Sequence, residues 1–275
     1  MTSKERISSD RIGFFFGAGA SIEFGMPSMI GMATSFTDEL SRKGQKKEKQ
    51  VFDNIYNSLE NEYGKAKVDI EAIMSVIIGL KEKRKARGSI GDDLLPVESV
   101  INLLDKFEYS EHILNKLENE FKKYIRTKVV ILESNKIDLC RNVYSNFFKE
   151  LCAVTNCSLG EDSNPFKYTA NKWTFFTTNY DNIIEDFWAN YRGYYLLDLG
   201  FKYKEGKKIM NVEGFVENNR DNSYGAMQLV KLHGSVNWIR NRNGEVQEFG
   251  YNFSYDDILP RAGSMDFKDD VMIIQ

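Results

Sequence analysis

The chain has 275 residues, of which 42% are hydrophobic and 13% aromatic, enough to build a folded core and to exclude a disordered tail. Its formal net charge of −3 and its pI near 5.7 argue against sequence-independent binding to nucleic acid, which usually shows as a basic face. No apolar run approaches the roughly 20 residues that span a bilayer, and the N-terminus, MTSKERISSD, lacks the apolar core of a signal peptide, so we expect a cytoplasmic protein without a membrane segment.

The first predicted strand runs from Ile12 to Phe16 and passes directly into a glycine-rich turn. The strand is apolar throughout, so we expect it to be buried on both faces, as in a parallel sheet. A strand that gives way to a helix through glycines is typical of phosphate or dinucleotide binding, and here the turn consists of Gly17, Ala18, Gly19, Ala20 and Ser21. The GxGxxG fingerprint fails because Ile22 stands at its third glycine. On spacing alone, a tight turn without a ligand is an equally good interpretation.

A helical pattern follows the turn, breaks near Pro27 and ends at Gly44, a suitable C-cap. From 45 to 158 the apolar residues recur at helical spacing with almost no strand signal. Strand patterns return after residue 158. We therefore predict one α/β domain with a parallel sheet, built from residues 8–44 and 159–275, and an inserted helical region at 45–158.

Polar residues follow the next predicted strand, in the sequence TFFTTNYDN. Thr178, Asn179 and Asp181 come directly after the apolar run. In an open α/β sheet, ligands bind outside the carboxyl ends of the strands, so these side chains are candidates for a site. The alternative is that they cap the following helix.

A third strand pattern, QLVKLHGS, ends at His233, Gly234 and Ser235. A histidine at a strand end is well placed to act as a general base near pH 7. The chain has two histidines. We expect His112, which lies in a charged helical pattern, to be solvated or to pack between helices.

The cysteines, Cys140, Cys152 and Cys157, fit a reducing compartment and contain no CxxC pair. A structural zinc site is therefore not expected. The chain stops just after the apolar run VMIIQ. A domain rarely ends on a buried strand without a following helix, so we expect these residues to be part of a longer protein, truncated at its C-terminus.

Taken together, three motifs resemble those of sirtuins. GAGASIEFGMP is similar to the GAGxSxxxGxP loop of that family, TTNYD to its TQNID segment and KLHGS to its catalytic LHG, in the same order along the chain. The resemblance covers roughly residues 10–30, 173–190 and 228–240 and implies a Rossmann-like sirtuin-type sheet. It leaves the helical middle of the chain uncovered.

The resemblance also implies roles for individual residues. Asn179 would hold the nicotinamide ribose of NAD and position a water, Asp181 would contact the nicotinamide amide, and His233 would act as the base near the ribose hydroxyls. The remaining residues that the resemblance assigns to NAD binding are Gly17, Ala18, Gly19, Ala20, Ser21, Thr178, Gly234 and Ser235.

Two departures argue against protein deacylation. Pro27 is followed by Ser28, Met29 and Ile30 instead of Asp-Phe-Arg, and the region after His233 lacks the four cysteines of the sirtuin zinc module. The chain therefore resembles the zinc-free sirtuin-like NADases of bacterial antiphage defence, which cleave NAD to ADP-ribose and nicotinamide. That resemblance implies a homo-oligomer and a sensing region on the same chain or on a partner, such as a translocase-type ATPase, a STAND ATPase or an Argonaute.

Two other functions remain open at this point. The first is a module that binds NAD or ADP-ribose as a sensor and assembles an oligomer without catalysis. The second is an NAD-dependent deacylase or ADP-ribosyltransferase, which would need an acceptor groove. The asparagine and histidine favour the hydrolase, because binding alone needs no base at position 233.

Overall fold

The computed structural model describes residues 11–85, 97–129, 134–155, 172–190, 197–204, 207–211, 227–240, 245–248 and 270–271. The α-helices in these ranges are Gly19–Ile22 (α1), Met29–Arg42 (α2), Lys46–Tyr63 (α3), Ile70–Lys85 (α4), Glu98–Asp105 (α5), Glu111–Lys128 (α6), Ser134–Thr155 (α7) and Ile183–Asn190 (α8). The strands are Arg11–Phe16 (β1), Lys172–Thr177 (β2), Leu197–Asp198 (β3), Phe201–Lys204 (β4), Lys207–Met210 (β5), Met227–Lys231 (β6), Trp238–Arg240 (β7), Val246–Glu248 (β8) and Asp270–Val271 (β9).

The chain divides into two compact units. The sheet unit takes its described residues from Met1–Met26 and Val130–Ile273, and the helical unit comprises the described residues of Pro27–Val129. These bounds differ from the predicted insertion at 45–158. Helix α2 packs with α3, α4 and α6, whereas α7 belongs to the unit that contains the sheets. The assignment of functional domains to 8–44, 45–158 and 159–275 stays a prediction.

A parallel sheet forms the centre of the sheet unit. Its strand order among the described residues is β1-β2-β6-β3. Phe16 pairs with Thr177, and Thr177 pairs with Lys231, so β1, β2 and β6 end at the same edge. The predicted mixed α/β fold with a parallel sheet is confirmed.

Phenylalanines cover one face of this sheet. Phe175 is fully buried, and its ring stacks at 4.9 Å from Phe14 and 5.6 Å from Phe16. Phe147 and Phe148, on α7, pack edge-on against this stack. Because side chains alternate between the faces of a strand, Phe14, Phe16 and Phe175 lie on the same face of the sheet, against α7.

The expectation that the first strand is buried on both faces was wrong. Phe15 is 65% exposed and Phe176 is 36% exposed, although both lie within the apolar runs that predicted burial. These two residues are register partners on neighbouring strands, and they lie on the face opposite the aromatic stack. An apolar run indicates a strand, but only the packing of the helices decides which of its faces is covered.

A second, antiparallel sheet was not predicted. Its order is β4-β5-β8-β7-β9 among the described strands. Val271, the first residue of the C-terminal apolar run, lies in β9, which pairs with β7 at the edge of this sheet. The other residues of the run, 272–275, lie outside the described residues. The strands are short, so period-two alternation is hard to see in the sequence.

The helical unit has its own aromatic core. Phe36, Phe52 and Phe121 are buried, with ring centroids 5.0 Å apart for the first two and 4.7 Å apart for Phe36 and Phe121. Ser28 caps α2 by accepting the Gly31 N–H at 3.0 Å, directly after the break at Pro27. Helix α2 ends at Arg42, and Gly44 follows with φ of 68°, which confirms the predicted glycine stop. None of the described helices is long and apolar enough to cross a membrane.

The two faces of the sheet predict losses of stability of very different size for the same substitution. Phe175→Ala removes a buried ring from the aromatic stack and should lower the free energy of unfolding by about 3–5 kcal/mol. Phe15→Ala, on the exposed face of the same sheet, should lower it by less than about 1 kcal/mol. Chemical denaturation of both variants checks this. Equal losses would contradict the assignment of the core to one face.

Candidate functional site

Three loops meet at the carboxyl edge of the parallel sheet. They follow β1, β2 and β6, and two backbone hydrogen bonds continue the strand pairing into them. The Thr178 N–H donates to the Phe16 carbonyl at 3.3 Å, and the Leu232 N–H donates to the Thr177 carbonyl at 2.8 Å. The glycine turn, the asparagine loop (residues 178–182) and the histidine loop (residues 232–236) therefore lie side by side, where an open α/β sheet binds its ligands.

The space around the backbone of the glycine turn is open. A Cβ added at Gly17 or Gly19 would meet no other atom within 4 Å. The turn closes through hydrogen bonds from the Ala20 N–H to the Gly17 carbonyl and from the Ser21 N–H to the Ala18 carbonyl, each 3.0 Å long. This geometry fits the close approach of a phosphate or ribose to the main chain. The predicted NAD-binding turn is therefore accessible to such a ligand.

The amide of Asn179 has a defined orientation. Its Nδ2 donates to the Gly17 carbonyl at 3.0 Å and to Ser21 Oγ at 2.9 Å. A carbonyl can only accept, so the NH₂ group must face Gly17 and the Oδ1 must face the other way. Both donors are used within the protein, and no described residue donates a hydrogen bond to Oδ1, so this oxygen can accept one from a hydroxyl or a water.

Ser21 and Asp181 extend the hydrogen bonds that orient Asn179. Ser21 Oγ donates to Asp181 Oδ2 at 2.8 Å, and both side chains are buried. Asp181 Oδ1 accepts the Ile183 N–H at 3.1 Å at the start of α8. The carboxylate thus supports Ser21 and the helix N-terminus, in agreement with the helix-capping alternative. Its contact with nicotinamide stays a prediction.

The histidine loop is joined to the asparagine loop by backbone and side-chain bonds. The Val236 N–H donates to the Tyr180 carbonyl at 3.2 Å, and the ring of His233 lies 6.2 Å from that of Tyr180. Gly234 has φ of 87°, a conformation that costs other residues strain, so a glycine is required directly after the histidine. His233 is partly exposed, and a ligand at the sheet edge can reach it.

The predicted site residues do not all contact one another in the structure. Ser21, Asn179 and Asp181 form one hydrogen-bonded chain with the Gly17 carbonyl. Ser235 is fully buried, and its Oγ donates to Asn182 Oδ1 at 2.9 Å. The side chains of Ala18 and Ala20 add no polar group, and Thr178 contributes a backbone bond. The other histidine, His112, is exposed on α6 of the helical unit, in agreement with the solvated role predicted for it.

Sequence reasoning missed a buried ion pair under these loops. The side chains of Lys231, on β6, and Glu185, on α8, are 0% and 2% exposed, and Lys231 Nζ lies 2.7 Å from Glu185 Oε1. Burial raises the pKa of the Glu185 carboxyl to about 7 against the lowering effect of Lys231, and nearby Asp181 adds to the rise. The available signal was a charged residue inside each of two apolar patterns, QLVKL and IIEDFW.

Tyr144, on α7, is a further buried polar residue near Asp181 and Glu185. It is 6% exposed. Burial raises the pKa of its phenol, and the Asp181 carboxylate adds to the effect, so the hydroxyl stays protonated. Within the described part of the chain, no three His, Cys, Asp or Glu side chains are grouped so as to hold a metal ion.

A comparison with protein families finds one match in this region. Residues 174–260 match the family model of the SIR2-like domain. The match begins in β2 and includes the asparagine loop and the histidine loop, and it supports a sirtuin-like domain with a Rossmann-like fold and a function related to NAD. A search of curated proteins found no significant match to the sequence.

The raised pKa of Glu185 predicts a pH-dependent contribution to stability. The folded state favours the protonated carboxyl, so this contribution is fully present below pH 4.5 and is lost as the pH rises through about 7. The free energy of unfolding of the wild type, relative to Glu185→Gln, should therefore fall by up to about 3 kcal/mol between pH 5 and pH 8. Urea denaturation at both pH values measures it.

Glu118 in the helical unit serves as the control, because its effect on stability should change with pH in the opposite direction. Burial alone would raise the pKa of its carboxyl, but Lys122 and Lys81 bring it below its ordinary value. The wild type should therefore lose stability relative to Glu118→Gln as the pH falls below about 4.5. If the Glu185 pair showed the same sign as the Glu118 pair, the raised pKa would be refuted.

Proposed function

We propose that this chain, which carries a sirtuin-like domain, is an NAD hydrolase that cleaves NAD to ADP-ribose and nicotinamide. The observation that carries the proposal is the orientation of Asn179, whose amide hydrogens are both bonded to Gly17 and Ser21 while Oδ1 is left to accept. An acceptor with this orientation suits a ribose hydroxyl or a water. It lies in the asparagine loop, at the same sheet edge as the glycine turn and His233.

The chemistry needs few protein groups. The bond between the ribose C1′ and the nicotinamide nitrogen breaks, and nicotinamide leaves with the bonding electrons. Positive charge develops on the ribose, and a preorganised amide oxygen nearby stabilises it. Water then forms the new bond to C1′ and gives up one proton, which the imidazole of His233 is suited to accept. The products are ADP-ribose, nicotinamide and a proton.

The same resemblance extends the proposal to the cellular role. The chain would act as an effector of bacterial antiphage defence in the cytoplasm, as a homo-oligomer that depletes NAD when a sensing region or partner is triggered. That partner would be of the translocase-type ATPase, STAND ATPase or Argonaute kind. Co-expression of candidate partners with the wild type and with Asn179→Ala in bacteria under phage challenge tests this role. Protection and NAD loss that both require Asn179 support it, and protection by the variant contradicts it.

The activity itself is tested by NAD turnover. Asn179→Ala and His233→Ala should each lower kcat/KM by about 100-fold or more, because each removes a group that acts at the reacting ribose. His112→Ala is the matched control, because it removes an exposed histidine of the helical unit. It should leave turnover unchanged. Chromatography of ADP-ribose and nicotinamide, released in equal amounts, measures the reaction.

Other outcomes of this experiment identify the alternatives. NAD binding by calorimetry without turnover, at high protein concentration and with partner present, would replace the hydrolase by the sensor. ADP-ribosylated protein, or deacylation of an acyl-lysine peptide, would replace it by the transferase or deacylase. Activity retained in both Asn179→Ala and His233→Ala would refute the assigned roles.

A further inference from the structure

Lys231 is a fully buried cation placed two residues before His233. Its side chain is 0% exposed, and a buried charge is costly unless it is paired and hydrogen-bonded. The ammonium has three donors. It uses them on Glu185 Oε1 at 2.7 Å, on Asn182 Oδ1 at 3.2 Å and on the Asp181 carbonyl.

Two of these three acceptors belong to the asparagine loop, which carries Asn179. Lys231 itself is the last residue of β6 and leads directly into the histidine loop. Asn182 Oδ1 also accepts the hydroxyl of Ser235 at 2.9 Å. The two loops that carry the proposed reacting groups are therefore joined through one ammonium and one amide oxygen.

Glu185 holds the lysine from the first turn of α8. Its Oε1 lies 2.7 Å from the ammonium nitrogen, and its side chain is 2% exposed. The titratable groups near the pair include Asp181 in the asparagine loop and Tyr144 on α7. The pair therefore lies close to both the asparagine loop and α7.

Stability alone is a weak reason for a protein to bury an ion pair. Buried ion pairs can often be replaced by apolar side chains of similar volume with little loss or even a gain in stability. An apolar side chain at 231, however, could not donate to the Asp181 carbonyl or to Asn182 Oδ1. What only a lysine provides here is the connection between the loops.

We propose that Lys231, held in place by Glu185, is a positioning residue that sets the asparagine loop against the histidine loop for the reaction on NAD. The inference rests on the proposed hydrolase function. Lys231 acts through Asn179 and His233 and does not itself touch NAD, because it is enclosed. Misplacement by about 1 Å can cost a reaction on the order of 100-fold.

The central test is the double variant Lys231→Met/Glu185→Leu, which replaces both charges by apolar groups of similar size. We expect its thermal unfolding midpoint to stay near that of the wild type while kcat for NAD hydrolysis falls by about 10- to 100-fold. KM should change less than about threefold, because the glycine turn is untouched. A double variant that keeps both kcat and the wild-type midpoint overturns the proposal.

The matched control is Lys122→Met/Glu118→Leu in the helical unit. This pair is also buried, with side chains 9% and 8% exposed and a distance of 2.7 Å. It should leave kcat unchanged. An equal loss of kcat in both double variants would mean that any buried pair matters equally, and it would refute a specific role for Lys231.

Asn182→Ala covers the case in which the Lys231 double variant fails to fold. Asn182 is only half-buried, so the variant should fold, yet it removes the oxygen shared by Lys231 and Ser235. Its kcat should fall by about tenfold or more. Folded Asn182→Ala with wild-type kcat overturns the proposal.

Hydrogen exchange separates this inference from the hydrolase function. If wild-type protein does not turn over NAD, the proposed function fails, but amide exchange in residues 178–182 and 232–236 still reports how the loops are held. Exchange there should be at least tenfold faster in the Lys231 double variant than in wild type, with unchanged exchange in β1. Equal exchange in both proteins refutes the positioning role whatever the activity.

Discussion

Parallel pairing of β1, β2 and β6 places the whole candidate site, because Phe16 lies opposite Thr177 and Thr177 opposite Lys231. The loops that follow these residues therefore lie at the same edge of the sheet. The aromatic stack of Phe14, Phe16 and Phe175 holds this register. A slip of one residue would turn these rings to the opposite face and away from α7. Packing energy on one side of the sheet thus determines the geometry of polar groups at its end.

The buried polar groups of the site form most of their hydrogen bonds with one another. Ser21 bonds to Asp181, Asn179 bonds to Ser21, and Lys231 bonds to Glu185 and to the asparagine loop. Removing one partner from such a network is costly, because the buried polar group that remains without a partner keeps its desolvation penalty. Its benefit is preorganisation, since the Asn179 oxygen is oriented before any ligand arrives. Two buried ionisable groups, Glu185 and Tyr144, lie near Asp181 of this network.

The two faces of the parallel sheet differ in a way that matters for interpreting apolar strands. Phe175 is fully buried on one face, whereas Phe15 is 65% exposed on the other. Both residues belong to strands with apolar runs. Composition therefore reports that a strand is apolar, but the side on which helices pack decides where the stabilisation arises.

The sequence by itself determined the strand–turn–helix units, the glycine stop after α2 and the three polar loops, because each depends on local spacing and backbone preferences. The sirtuin-like motifs could be found for the same reason. The antiparallel sheet, the exposed face at Phe15 and the Lys231–Glu185 pair could not, since each depends on contacts between residues far apart in the chain. Glu185 and Lys231 are 46 residues apart, and neither position carries a local signal for the other. Only the tertiary structure decided that these two charges would share one buried space, because the cost of burying either alone is offset only when the fold brings both together.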